Sequence, residues 1–361
     1  MGHAPGTITG QTDVVLRSFL IASAILAVGT STVGGSSLAA TTGQKTAGST
    51  VVGSSRQIDH SKCGLSQPAI GRPSVLAVRI VRIDTGEVVL VNACIDGAGP
   101  FPFVIDSGSS FSVIDKQFAQ RFHLRQVGAP QQAAGIACSA TVVPEQVSSW
   151  SMGGLALRPQ VVFSASLPNL EPNQPLAGVI GSDLLSRFGS VRIDYQKHTV
   201  SLGAAESESP TANGVVRGPT PTPTPAEFVR DVRAQAELTV VARQGGVVAY
   251  APIKFDGSTT QRFVVDTGAA VSDISSSLAR VLHLENAHRS VEFSAAFGCP
   301  VNLSEVKSGR WTVGQASLRA QSIATLPASG LQIAGILGSD VLSYFGVVVI
   351  DYRAARILFE S

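Results

Sequence analysis

One short phrase is written twice in this chain, and that repetition constrains the fold more than any other feature. Phe103-Val104-Ile105-Asp106-Ser107-Gly108-Ser109-Ser110 returns 160 positions later as Phe263-Val264-Val265-Asp266-Thr267-Gly268-Ala269-Ala270. A second pair follows at an offset of 157: Gly178-Val179-Ile180-Gly181-Ser182-Asp183-Leu184-Leu185 and Gly335-Ile336-Leu337-Gly338-Ser339-Asp340-Val341-Leu342. Between them His123-Leu124 and His283-Leu284 keep the offset of 160, while Cys138/Cys299 and Trp150/Trp311 lie 161 apart. The second phrases run on through Ile193-Asp194-Tyr195 and Ile350-Asp351-Tyr352. Ordered landmarks whose register drifts by a few residues describe a duplicated domain with insertions in its loops. Two units are too few for a solenoid. The expectation is two similar lobes, each giving one Asp turn to a shared site.

Composition agrees with lobes built from strands. Only 14% of the 361 residues are charged and 6% aromatic, with 36 glycines and many short Val/Ile/Thr/Ser runs, which suits β structure with frequent turns. Strands are expected over Ala77–Ile83 and Val88–Val91, and a closing hairpin about Gln196-Lys197. Short helices are expected at Lys116–Phe122, Ser276–Leu282, Leu184–Phe188 and Val341–Phe345. The fold class is therefore all-β with a few short helices: two pseudo-symmetric lobes with a cleft between them.

The ends of the repeat set the boundaries. Arg17-Ser18, an apolar run from Phe19 to Val28, and Ser37-Leu38-Ala39-Ala40 read as a signal peptide over residues 1–40. The run is short for a membrane span, which needs about 20 residues, so no stable span is expected once the signal is cleaved; the competing reading is an uncleaved anchor. Residues 41–75 read as a flexible leader, 76–204 as the N-terminal lobe, 205–226 as a Pro/Thr-rich linker with Pro219, Pro221, Pro223 and Pro225, and 227–361 as the C-terminal lobe. The protein is expected to be exported, periplasmic or secreted. Its four cysteines, Cys63, Cys94, Cys138 and Cys299, allow three pairings, among which the sequence does not choose. A net charge of +2 without a basic cluster gives no sign of nucleic acid as a partner. No Cys/His spacing suggests a metal, and no cofactor is implied.

Two carboxyls brought together can activate water and supply a proton, which is what peptide hydrolysis without a metal or nucleophilic side chain requires. Asp106 and Asp266 are the catalytic candidates. Ser107 and Thr267 can donate hydroxyl hydrogen bonds across to the opposite turn, and Gly108 and Gly268 permit close approach. Ser109 and Ala269 present backbone N–H groups to the carboxylates. Val179-Ile180-Gly181 and Ile336-Leu337-Gly338 are expected to pack behind the Asp turns.

These motifs resemble the pepsin/retropepsin superfamily of aspartic proteases, and more closely its retropepsin-type bacterial members. The likeness covers about residues 76–202 and 236–360. It implies an aspartic endopeptidase acting on a peptide or protein substrate, with Asp106 and Asp266 as the active carboxylates and Ser107, Gly108, Thr267 and Gly268 supporting them. It also implies a monomer whose lobes pair within one chain, although lobes of two chains could pair instead. The hairpins that close over substrate map by order and Gly content onto Ala134-Gly135-Ile136-Ala137 and Ala295-Ala296-Phe297-Gly298, neither with a Tyr.

Blander readings stand beside these. The main rival is an exported peptide-binding module with the same fold and no turnover; another has the leader covering the cleft until it is removed. Asp183 and Asp340 read as caps of short helices, and Asp194 and Asp351 as exposed or hairpin residues. His123 and His283 read as ends of surface helices, and Trp150 and Trp311 as core. Gly181-Ser182-Asp183 lacks the spacing of a serine hydrolase elbow.

Overall fold

The computed structural model describes residues 18–19, 63, 73–83, 85–136, 138–170, 175–203, 232–243, 245–294, 296–326 and 333–360. Apart from Ser18–Phe19, the expected signal segment lies outside the described residues, as do most of the leader and the Pro/Thr linker.

Each lobe is organised around a long hairpin that delivers its Asp turn. In the first lobe Gly86–Ile95 pairs antiparallel with Ala98–Ile105, matching Leu90 to Val104. Val88, Val89, Leu90 and Val91 are all buried; a strand covered on both faces reads as a continuous apolar run, not an alternating one. Strand Gly178–Ile180 then inserts between two others. It runs parallel to Ala98–Ile105, with Val179 opposite Val104, and antiparallel to Val113–Asp115, with Val179 opposite Val113. The second lobe repeats this: Gly246–Phe255 pairs with Gln261–Val265, and Gly335–Leu337 lies between Gln261–Val265 and Asp273–Ser275. Phe103 and Phe263, the first residues of the repeated phrase, are fully buried in one shared apolar core.

A third sheet joins the lobes. Its six strands run Val232–Glu237, Arg356–Glu360, Val347–Asp351, Ser190–Asp194, Thr199–Leu202, Ser74–Ala77. At its centre Ser190–Asp194 meets Val347–Asp351 antiparallel, Ser190 opposite Asp351 and Asp194 opposite Val347. Equivalent strands of the two repeats thus pair about a pseudo-two-fold axis, and the lobes associate within one chain.

Several expected boundaries move. The strand expected over 77–83 is two, Ser74–Ala77 in the joining sheet and Arg79–Ile83 in the first lobe; the chain changes sheet at Val78. The first two helices form as Lys116–Arg121 and Ser276–Val281. The later pair starts two residues early, at Ser182–Leu185 and Ser339–Leu342, each continuing as a 3-10 turn through Phe188 and Phe345. Asp194 and Asp351 are hairpin residues but are not exposed. Each lies buried in the joining sheet, accepting at Oδ1 from the N–H of Lys197 and of Ala354 respectively, both at 2.8 Å.

Candidate active site

The two Asp turns meet where the lobes touch, and four hydrogen bonds tie them together. Ser107 Oγ donates to the Val265 carbonyl at 2.8 Å, and Thr267 Oγ1 donates to the Ile105 carbonyl at 2.8 Å. Each hydroxyl also accepts from the opposite backbone: Ser107 N–H donates to Thr267 Oγ1 at 3.0 Å, and Thr267 N–H donates to Ser107 Oγ at 3.1 Å. Every hydroxyl is thus both donor and acceptor, so each is satisfied although buried. The expected cross-lobe role of Ser107 and Thr267 is what the structure places there.

The carboxyls are held by their own turns. Asp106 Oδ1 accepts from Gly108 N at 3.0 Å and Ser109 N at 2.9 Å, and Asp266 Oδ1 accepts from Gly268 N and Ala269 N, both at 2.9 Å. Gly268 touches both sides of the site, because a Cβ there would lie 2.5 Å from Asp106 Cγ and 2.6 Å from its Oδ2. Glycine is required at 268 by that approach. Strands behind the turns fix the backbone: Asp106 N–H donates to the Ile180 carbonyl and Asp266 N–H to the Leu337 carbonyl, both at 3.0 Å. Both residues are almost wholly buried, at 1% and 0% exposure.

The downstream Gly-Ser-Asp phrases do something the sequence reading missed. Their serines cross between lobes. Ser182 Oγ donates to the Val247 carbonyl and accepts from Val247 N–H, while Ser339 Oγ accepts from Glu87 N–H at 3.0 Å. The adjoining glycines are wedged in: a Cβ on Gly86 would strike the Ala270 carbonyl oxygen, and one on Gly246 the Ser110 carbonyl oxygen. Gly86 and Gly246 are 160 positions apart, the offset of the Asp turns; that shared offset was the signal.

Asp183 and Asp340 do not cap their helices. Gly181 and Gly338 occupy the caps, and no side chain bonds there. Instead Asp183 accepts from Ser112 Oγ at 2.7 Å and Gln160 Nε2 at 3.2 Å, and Asp340 accepts from Ser272 Oγ at 2.6 Å. The same serines accept from Gly181 N–H at 3.1 Å and Gly338 N–H at 2.9 Å. Each Asp therefore anchors the strand after its Asp turn to the inserted strand. Burial pushes the Asp183 carboxyl up and that of Asp340 up to about 6.

Asp273 has no acidic counterpart, since the first repeat carries Val113 in its place. It is fully buried, with no side-chain hydrogen bond among the described residues and only the Ile336 backbone favouring its charged form. Burial first, then the charge of Asp266, holds its carboxyl well above the usual carboxylate range. His123 and His283 lie apart from this site: both are exposed, just past the helix ends, with positive φ of 52°. Trp150 and Trp311 are core residues whose indole N–H groups donate to the carbonyls of Arg158 and Arg319.

The described residues of both expected closing segments, 134–136 and 296–298, lie at hairpin tips; Ala137 and Ala295 lie outside the described residues. In the first lobe Gln131–Ala134 pairs with Ser139–Val147, and Gly135 N–H donates to the Cys138 carbonyl at 2.7 Å to close the turn. In the second, Asn286–Ser294 pairs with Pro300–Lys307. The cysteines pair as Cys63–Cys94 and Cys138–Cys299, so repeat-equivalent positions join to each other. Among the described residues no cluster of three or more His, Cys, Asp or Glu is placed to hold a metal ion.

The chain matches the family model described as aspartyl protease over residues 91–184 and again over 251–341, just over half its length. Among solved structures it is similar to the aspartic proteinase from Irpex lacteus, at 11% identity and a TM-score of 0.39, covering 80% of this chain and 97% of that one. It is also similar to conglutin gamma, a basic 7S globulin from lupine seeds, at 10% identity and a TM-score of 0.43, covering 80% and 95%. A search of curated proteins returned no match.

Proposed function

The chain belongs to the aspartyl protease family, and from that premise we propose that it is an aspartic endopeptidase whose catalytic residues are Asp106 and Asp266. The observation that carries this reading is the closed cross-lobe lattice of Ser107 and Thr267, which brings both carboxyls against Gly268. Two carboxyls so close do not both ionise cheaply, so they share a proton. The ionised member takes a proton from water while the protonated member donates to the carbonyl of the scissile bond; the attacking oxygen adds to carbon, and the amine leaves with a proton returned from the pair. The N–H pairs on the two Oδ1 atoms orient the carboxyls before substrate arrives, so little reorganisation is left for the reaction itself.

The substrate is an extended peptide, bound by strand addition against the two hairpins. The protein works as a monomer, exported to the periplasm or secreted. Its two disulfides fit an oxidising compartment, and no helix among the described residues is long and apolar enough to cross a membrane. The rival is a peptide-binding module without turnover, favoured by the near-complete burial of both carboxyls. Purified protein lacking residues 1–40, incubated with a diverse peptide mixture from acid to neutral pH beside the Asp106→Asn/Asp266→Asn double variant, decides between them. New peptide termini with the parent and none with the double variant are expected. If the parent cuts nothing at any pH, the binding module is the better account.

A further inference from the structure

The Cys138–Cys299 disulfide occupies an unusual place. Cys138 closes the turn of the first-lobe hairpin and Cys299 lies at the tip of the second, with Cα atoms 6.5 Å apart at a sequence separation of 161. The hairpin tips also reach across the cleft. Ile136, from the first lobe, is 1% exposed within an apolar cluster of second-lobe residues that includes Val248, Val264, Ala269 and Leu303. Phe297, from the second lobe, packs against a cluster holding Val88, Phe111 and Val142 of the first lobe, together with Ala270. Ala269 and Ala270 follow Asp266 by three and four positions, so the tips lie against the walls that rise from the Asp turns.

Floor, two rooted hairpins and a covalent bar make a closed ring. Each hairpin is anchored in its lobe's sheet, Ser139–Val147 on Gln160–Ala165 and Pro300–Lys307 on Ser322–Leu326. Apolar contacts at the tips are non-directional and reversible, so Ile136 and Phe297 can lift. A disulfide is covalent and rearranges without a catalyst only over minutes to hours. Breathing widens the ring without opening it.

We propose that this bar sets the substrate class: a chain reaches Asp106 and Asp266 only by threading a free end under the linked hairpins, so the protein takes unfolded chains with a free terminus and refuses closed loops. An extended strand needs one backbone's width, about 4.8 Å to each hydrogen-bonded neighbour. A loop of a folded protein must bring two strands through together. This inference rests on the peptidase reading and concerns how substrate arrives, not the chemistry.

The test uses one sequence that the protein cuts, made as a linear peptide and as its head-to-tail cyclic form. Three proteins are compared: the parent with both disulfides, Cys138→Ser/Cys299→Ser with Cys63–Cys94 intact, and Cys63→Ser/Cys94→Ser with Cys138–Cys299 intact as the control for losing a disulfide elsewhere. The parent and the control should cut the linear peptide and leave the cyclic one whole, whereas Cys138→Ser/Cys299→Ser should cut both. Cleavage of the cyclic peptide by the disulfide-intact parent overturns the proposal. So does a Cys138→Ser/Cys299→Ser protein that cuts the linear peptide but not the cyclic one. Should that variant cut neither, parent reduced with dithiothreitol takes its place; two electrons turn the disulfide into two thiols as dithiothreitol closes to its own cyclic disulfide. If no form cuts the linear peptide, the peptidase reading fails separately, and binding of the two labelled peptides decides: linear bound by the parent with cyclic bound only when the bar is absent supports the ring, and equal binding of both by the parent overturns it.

Discussion

Thr267 Oγ1 is the acceptor for one buried N–H and the donor to one buried carbonyl of the opposite lobe. Thr267→Val keeps the shape and strands both groups, each costing about 1–3 kcal/mol when left unpaired. A loss of about 2–4 kcal/mol in unfolding free energy is therefore expected by urea titration, together with weaker turnover, since the two Asp turns lose their register. A variant as stable as the parent would show that the lattice carries no weight. Asp273 works in the opposite direction. Its carboxyl is buried with only the Ile336 backbone to favour its charge, so Asp273→Val, matching Val113 of the first repeat, should stabilise the protein at neutral pH by about 1–3 kcal/mol, the desolvation cost of such a group. The sign follows from linkage. A folded-state value raised above the unfolded one means the folded protein binds the extra proton, so the group's stabilisation is complete below the unfolded value and is lost as pH rises towards the folded one. The gain from Asp273→Val should therefore shrink on acidification; a gain equal at pH 4 and pH 8 would contradict the assignment.

Gly86 and Gly246 begin the long strands of the two lobes, and each abuts a carbonyl oxygen of the other lobe's Asp turn. Gly86→Ala or Gly246→Ala forces backbone to move at the lobe contact and should lower stability by about 1–3 kcal/mol, the usual range for overpacking, read as a fall in thermal midpoint for each variant alone. At this scale the sequence was most legible where a residue's job is local and written twice. The buried Phe103 and Phe263 strands, the inserted strands after Gly178 and Gly335, and the Ser107/Thr267 exchange all follow from the paired phrases. What was not legible depends on partners distant in the chain. Ser182 and Ser339 carried no expected role, yet they bond to Val247 and Glu87 of the opposite lobe. Asp183 and Asp340 looked like caps because Asp favours helix starts; buried serines 71 and 68 positions away won the contact. The disulfide pairing was likewise open, since spacing alone cannot show that two hairpin tips meet.

Among the described residues four buried carboxyls are raised by burial, Glu145, Asp183, Asp273 and Asp340, each favouring the folded state when protonated. Their linkage has one sign, so unfolding free energy should fall as pH climbs from the ordinary carboxylate range through about 6, where Asp340 titrates. Urea midpoints that rise over that interval would contradict this. The joining sheet, with strands of both repeats paired about its centre, lets one chain present two half-sites as a single unit. The central claim is that neither half suffices. Its most direct test is turnover of one linear peptide by Asp106→Asn and Asp266→Asn separately, with folding checked by the thermal midpoint. Each substitution alone should abolish cleavage in a folded protein; a variant that keeps the parent's rate would contradict a shared pair.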